Sequence, residues 1–252
     1  MIELLSSSQL WQFSSLQIYL TVLLFVWTGF VRSGLGFGGA ALALPMMLLI
    51  YDQPVFWLPV IGTHLLFFTF ISLVGRLREV DWTYLKKSLW FIFPAKVVGV
   101  LGLLNLPNNL LVTVIYLITL CYALMWVFKM SIHSKDGWSE KLLLVLGGYI
   151  SGTSLTGAPM LVAVYLQHVD RYQLRNTLFV LWFILVLTKM GTFVAFGFSL
   201  HTLSALMLIP AAAIGHFIGL RAHDYLRRND ARFKRVLGVF LAAICLIGLW
   251  QI

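Results

Sequence analysis

The sequence predicts an all-α polytopic membrane protein of two inverted-topology repeats, each a glycine-broken helical hairpin followed by three transmembrane helices. Three observations carry this. First, 60% of the 252 residues are hydrophobic and 11% are charged, where a soluble domain carries roughly 25% charged residues. Second, an apolar run from about 16 to 50 has no polar loop, yet holds Gly29, Arg32, Ser33, Gly34, Gly36, Gly38 and Gly39 in its middle. One span needs only ~20 residues. Glycine costs helix stability and lets the backbone turn sharply, so the run reads as a helix that enters, breaks and returns. Third, the pattern has an echo. Gly29, Ser33, Gly34, Gly39 and Ala40 recur at one offset of 118 as Gly147, Ser151, Gly152, Gly157 and Ala158, and Pro94-Ala95…Gly99 recurs at an offset of 116 as Pro210-Ala211…Gly215. Paired glycine-broken segments in two halves point to a transporter built from repeats.

Taken in order, residues 1–15 form a lead-in with one charge, Glu3, and no basic signal-peptide region. Repeat 1 covers 1–128: the hairpin at about 16–50, the turn Tyr51-Asp52-Gln53-Pro54, and spans at about 55–75, 88–104 and 110–128. Between the first two spans lies the loop Arg76–Lys87, and the uncharged Asn105–Asn109 joins the next two. The linker 129–141 carries three lysines. Repeat 2 covers 142–252: a hairpin at about 142–166 and spans at about 177–195, 202–220 and 236–252.

Charge parity supports the second hairpin. With loop 76–87 in the cytoplasm, linker 129–141 is also cytoplasmic. Were 142–166 one span, the loop with Arg171 and Arg175 and the loop 221–235, with six basic residues, would both lie outside, against the positive-inside rule. If it goes in and returns, 15 of the 18 basic residues are cytoplasmic and the C-terminus is outside. A re-entrant hairpin and two short crossings satisfy this parity equally. Parity also gives the repeats opposite orientations. The net charge of +9, which in a soluble chain suggests nucleic acid, is explained by these loops, and no nucleic-acid partner is expected.

The three remaining basic residues, Arg32, Lys96 and Lys189, fall within apolar segments, whereas all nine carboxylates fall in loops or the lead-in. A lysine at the bilayer centre costs about 2.5–3.5 kcal/mol on insertion scales. With no acid to pair with, such side chains suit an anionic substrate. Lys96, near the middle of its span, is the leading candidate. Arg32 sits at the first break, where it would hold freed carbonyls. Lys189 lies nearer the outer end of its span, where it would snorkel or line the path. Helix starts past the breaks, near Ala40 and Ala158-Pro159, offer backbone N–H groups to an anion. Ser33, Ser151, Thr153, Ser154 and Thr156 add hydroxyls. Together with Gly34, Gly36, Gly38, Gly39, Gly152 and Gly157 these residues form the candidate substrate site. The bland alternative is that the small residues only permit close helix packing, which is the preferred reading for Gly29 and Gly147. His64 and His216 lie within spans and read as packing residues or a proton relay. Cys121 and Cys245 read as core residues, no spacing resembles a metal site, and no cofactor is expected.

These residues also resemble those of a known family. Ser33-Gly34-Leu35-Gly36-Phe37-Gly38-Gly39 with Pro45, Val80-Asp81-Trp82, and Pro94…Gly99…Gly102 resemble the sulfite exporter TauE/SafE family across most of the chain. The resemblance implies a multi-pass carrier of the bacterial inner membrane for sulfur-containing anions such as sulfite or organosulfonates, usually outward. It also implies that the two breaks, Ser33 to Gly39 and Ser151 to Gly157, face one another around the substrate. Thr156 stands where the first break has Gly38, so equal contributions from the halves are not assumed. The expected function is alternating-access transport, outward by resemblance, of a small anion, a sulfur oxyanion or a carboxylate, in the lipid bilayer. Proton coupling and a homodimer are compatible with it. The rivals are an anion channel and an intramembrane serine hydrolase with Ser151 or Ser154 as nucleophile and His216 as base, although Gly152-Thr153-Ser154-Leu155-Thr156 lacks the second glycine of a nucleophile elbow.

Overall fold

The computed structural model describes residues 9–35, 39–130, 132, 136–228 and 230–252. Among these it contains ten α-helices and no strand. In chain order they are α1 (Ser15–Leu35), α2 (Gly39–Ile50), α3 (Pro54–Leu73), α4 (Trp82–Asn105), α5 (Asn108–Val127), α6 (Gly137–Ser154), α7 (Ala158–His168), α8 (Arg171–Ala195), α9 (Thr202–Arg228) and α10 (Asp230–Trp250). Seven of them, α1, α3, α4, α5, α8, α9 and α10, are long and apolar enough to cross a membrane. With 12 and 11 residues, α2 and α7 reach ~18 Å at 1.5 Å per residue, short of a ~30 Å hydrocarbon core.

Several helices begin earlier than hydrophobicity alone suggests. Helix α4 starts at Trp82, α6 at Gly137 and α8 at Arg171, so Lys86, Lys87, Glu140, Arg171 and Arg175 are helical rather than in loops. The cause is capping. Asp81 accepts a hydrogen bond from Tyr84 N at 2.9 Å, Asp136 from Ser139 N at 2.7 Å and Asp170 from Tyr172 N at 2.8 Å. Asp136 and Ser139 close a reciprocal capping box, and Ser139's backbone and side-chain hydrogen bonds hold the Asp136 carboxyl below the usual carboxylate range. The basic stretch after Leu220 is likewise helical up to Arg228. Asp81→Ala is expected to lower the stability of the detergent-solubilised protein by about 1 kcal/mol, while Asp81→Asn, which also caps, restores most of it. Thermal unfolding of the two variants checks this, and equal loss in both would remove the cap as the cause.

The chain divides into two compact units. The first comprises residues 1–64, 107–130 and 199–252, the second residues 65–106 and 131–198. In the first unit α1 runs beside α9, and α10 packs on α5 and α2. Val31, Leu42, Ala123, Leu237 and Leu241 are buried there. In the second unit α4 runs beside α6, with α7 and α8 packed around them. Leu85, Ile92, Leu144, Leu161, Tyr165 and Leu181 fill its core.

Glycine makes both principal seams. A β-carbon at Gly215 would lie 1.8 Å from Val26 O, one at Gly29 2.0 Å from Ala212 O, and one at Gly219 2.4 Å from Phe30 O. The α4–α6 seam repeats the arrangement: a β-carbon at Gly148 would lie 2.5 Å from Ile92 O, and one at Gly152 2.5 Å from Lys96 O. In each seam residue numbers rise together, so both helix pairs are parallel and touch backbone to backbone. Association in lipid depends on such close packing, because lipid tails are as apolar as leucine. Gly147 serves a different face of α6: its β-carbon would meet the Leu161 side chain at 2.7 Å. Two adjacent glycines thus let α6 touch α7 on one side and α4 on another, as the 100° step of a helix requires.

At the feet of the α6–α7 hairpin a polar cluster ties its ends. Tyr84 OH donates to Glu140 Oε1 at 2.9 Å, His168 Nε2 lies 3.1 Å from Glu140 Oε2, and the Tyr84 and His168 rings stack 4.9 Å apart. Glu79 accepts from Asn176 Nδ2 at 2.6 Å.

Candidate functional site

In the second unit, α6 stops at Ser154 and α7 starts at Ala158. Leu155 between them is left-handed, with φ 60° and ψ 11°. That conformation ends many helices but falls mostly to glycine, and it is uncommon for a leucine. Gly157 then brings the chain back hard against α6, since a β-carbon there would lie 2.1 Å from Gly147 O. Pro159 occupies the first turn of α7, where its missing N–H costs nothing. No side chain caps that turn.

A helix that ends this way leaves carbonyls without intrahelical partners. Two lysines meet them. Lys96 Nζ donates to Ser151 O at 3.0 Å and to Ser151 Oγ at 3.2 Å. Lys189 Nζ donates to Thr153 O at 3.2 Å. Both lysines are 0% exposed. The carbonyl end of a helix carries partial negative charge, which favours cations there. Ser154 Oγ and Thr156 Oγ1 are bonded to each other, and Thr153 Oγ1 and Ser154 Oγ both donate to Ile150 O. Among the described residues no carboxylate meets either lysine.

In the first unit, α1 runs to Leu35 and α2 starts at Gly39. Gly36 and Gly38 lie outside the described residues. Ser33 Oγ and His216 Nδ1, on α9, are hydrogen-bonded to each other. Gly219, one turn after His216, keeps α9 close here: a β-carbon on it would lie 3.0 Å from Ser33 Cβ and 3.1 Å from Gly34 N. Arg32 Nη1 donates to His64 O at 3.4 Å, and His64 Nε2 donates to Ala205 O at 2.6 Å. His64 is thus hydrogen-bonded across to α9 and lies edge-on to Phe25.

Of the residues singled out from the sequence, Lys96, Ser151, Gly152, Thr153, Ser154, Thr156 and Lys189 converge on the end of α6, with Gly157 closing the hairpin behind them. Ser33, Gly34 and His216 meet at the end of α1, with Arg32 and His64 alongside. Of the two readings open for Lys189, snorkelling does not hold: α8 turns it into the core of its unit, where Thr153 O holds it. The hydroxyl pair Ser88 and Tyr165 and the Glu140–His168 pair were not anticipated. One signal for the latter lay in the sequence, an acid and a histidine at the two ends of one predicted hairpin.

A family model described as sulfite exporter TauE/SafE matches residues 21–247. Comparison with curated proteins and with solved structures returned no match.

Proposed function

The chain belongs to the sulfite exporter TauE/SafE family, and from that premise we propose that it carries a small sulfur-containing anion, sulfite or an organosulfonate, by alternating access. The family suggests a membrane transporter of sulfur anions, and seven apolar helices support a multi-pass membrane protein. The observation that carries the finer reading is the pair of fully buried lysines at the end of α6 with no carboxylate partner among the described residues. Two buried like charges oppose folding by several kcal/mol, and neutral carbonyls offset only part of that. An anion at the α6–α7 break offsets the rest, taking ammonium donors, hydroxyls from Ser151, Ser154 and Thr156, and the first-turn N–H groups of α7. In the first unit Arg32, Ser33 and Gly34, with His216 against Ser33, lie at the corresponding end of α1. We place the basic loops in the cytoplasm and the C-terminus outside, with export as the direction, and treat the two halves as inverted repeats.

The test is flux in proteoliposomes loaded with sulfite, thiosulfate, sulfoacetate, taurine or acetate. Saturable movement of one sulfur oxyanion, accelerated by the same anion on the opposite side, is the expected result. Flux that rises linearly without such acceleration would indicate a channel, and no flux of any of the five would overturn the sulfur-anion reading. The Ser151–Lys96 contact also has the composition of a Ser–Lys hydrolase pair. Ser151 is only 4% exposed, and no labelling by a serine-reactive phosphonate is expected.

A further inference from the structure

The end of the second unit at which α4, α6 and α8 begin carries positive charge that nothing neutralises. Polar contacts gather those ends: Tyr84 OH on Glu140, Glu140 with His168 at the foot of α7, and Asp81 N, which donates to Thr177 Oγ1 at 3.0 Å. Exposed basic side chains lie there, with Arg76 and Arg78 in the short stretch before α4, Lys86 and Lys87 near its start, and Arg171 and Arg175 in α8. The carboxylates beside them are already engaged. Glu79 accepts from Asn176, Asp81 and Asp170 cap their helices, and Glu140 takes Tyr84 and His168. Among the described residues none of these six basic groups meets a carboxylate. The Glu79–Asn176 bond holds the stretch carrying Arg76 to the helix carrying Arg175, and the two arginines lie close enough to repel one another.

The helices also show at what depth this charge sits. Lys86, Trp90 and Phe93 are exposed at positions i, i+4 and i+7 of α4, which share one face. Trp90 is 82% exposed. On α8, exposed Tyr172 precedes Arg175, whose guanidinium lies 5.3 Å from the centre of the Phe179 ring. A basic group, then an indole, then an apolar ring is the order of a helix face that passes through the headgroup layer into lipid. We propose that this end of the second unit binds an anionic phospholipid, its phosphate held between Arg76 and Arg175. Guanidinium forks match phosphate oxygens in pairs, and a phosphate between the two arginines replaces one repulsion by two attractions. The other basic side chains of this end add to the attraction. The occupant is a lipid rather than a dissolved anion because exposed apolar surface continues directly from the basic groups, where acyl chains lie. Binding there ties the stretch before α4 to α8 and stabilises the unit.

The test offers the full-length protein in detergent equal amounts of palmitoyl-oleoyl phosphatidylglycerol and phosphatidylcholine. Native mass spectrometry counts the lipids retained, and thermal unfolding reads stability. Wild type should retain phosphatidylglycerol about tenfold in preference, and that lipid alone should raise its thermal midpoint. Arg76→Gln with Arg175→Gln should weaken one phosphatidylglycerol-binding step at least tenfold, since each basic group near an anionic surface contributes about fivefold. Without lipid this variant should unfold no earlier than wild type, because the repulsion is gone. Arg76→Lys with Arg175→Lys keeps the charge but not the planar fork and should fall between the two. Raising salt from about 0.05 M to about 0.5 M should shrink the lipid-induced rise in wild type, a measurement that needs no variant. Equal retention of the two lipids overturns the proposal, as does phosphatidylglycerol binding unchanged in the glutamine variant. A rise produced as well by inorganic phosphate with phosphatidylcholine assigns the arginines to a dissolved anion and overturns the lipid.

Discussion

Lys96→Met is expected to lower the initial rate of anion transport on the order of 100-fold while leaving the protein at least as heat-stable as wild type. Hydrogen bonds from a charged donor are worth roughly 1.5–3 kcal/mol, and a 100-fold loss corresponds to the upper part of that range. The stability half of the prediction follows from burial. Lys96 is 0% exposed and bonds only neutral oxygens of Ser151. Methionine has similar length and bends to fill the space. The variant loses two hydrogen bonds and leaves Ser151 O under-satisfied, at a cost of about 1–3 kcal/mol, but removes a buried charge whose desolvation costs several kcal/mol. The second effect is larger. Flux together with a thermal midpoint in detergent reads both. A variant that transports at the wild-type rate would remove Lys96 from the site, and one that unfolds early would make the lysine a structural cap on α6.

Gly215→Ala is expected to prevent accumulation of a monodisperse protein, a loss of about 3 kcal/mol or more. The added carbon would lie 1.8 Å from Val26 O and 2.7 Å from Val26 C, both backbone atoms that cannot rotate away. Relieving the clash moves α9 off α1 and opens the adjoining contacts at Gly29 and Gly219. Overpacking typically costs 1–3 kcal/mol, and a contact with rigid backbone belongs at the top of that range. Gly191→Ala is the control. A β-carbon on Gly191, inside α8, would have nothing within 4 Å, so alanine there is expected to be neutral or to add up to about 1 kcal/mol through helix propensity. Size-exclusion profiles and thermal midpoints compare the two, and equal stability would mean the seam is not held by close contact.

Much of this was legible in the sequence. Composition and run length gave the apolar helices, and the spacing of Ser33 with Gly34 and of Ser151 with Gly152 marked both helix ends. Lys96 stood out because a lone charge in an apolar span is conspicuous. Helix starts were less legible, since hydrophobicity records bilayer crossing whereas Asp81, Asp136 and Asp170 decide where the backbone begins to coil. Helix partners were not legible at all. A water-facing helix carries a polar stripe that names its buried face, but a lipid-facing helix is apolar all round. Gly29 announced close packing without saying that Ala212 lies opposite it. Lys189 stayed open between snorkelling and lining the path for the same reason: depth along a span says nothing about which way the side chain points.

The pairing of α1 with α9 has a consequence for biogenesis. Val26 meets Gly215, so the first long helix made waits for ~190 further residues, about 10–40 s at 5–20 residues per second, before its partner leaves the ribosome. During that interval its glycine face has only lipid or insertion machinery to rest against. The second unit has no such delay, because α4 and α6 are close in the chain. Assembly should therefore proceed from the middle of the polypeptide outward, with the first unit completed last.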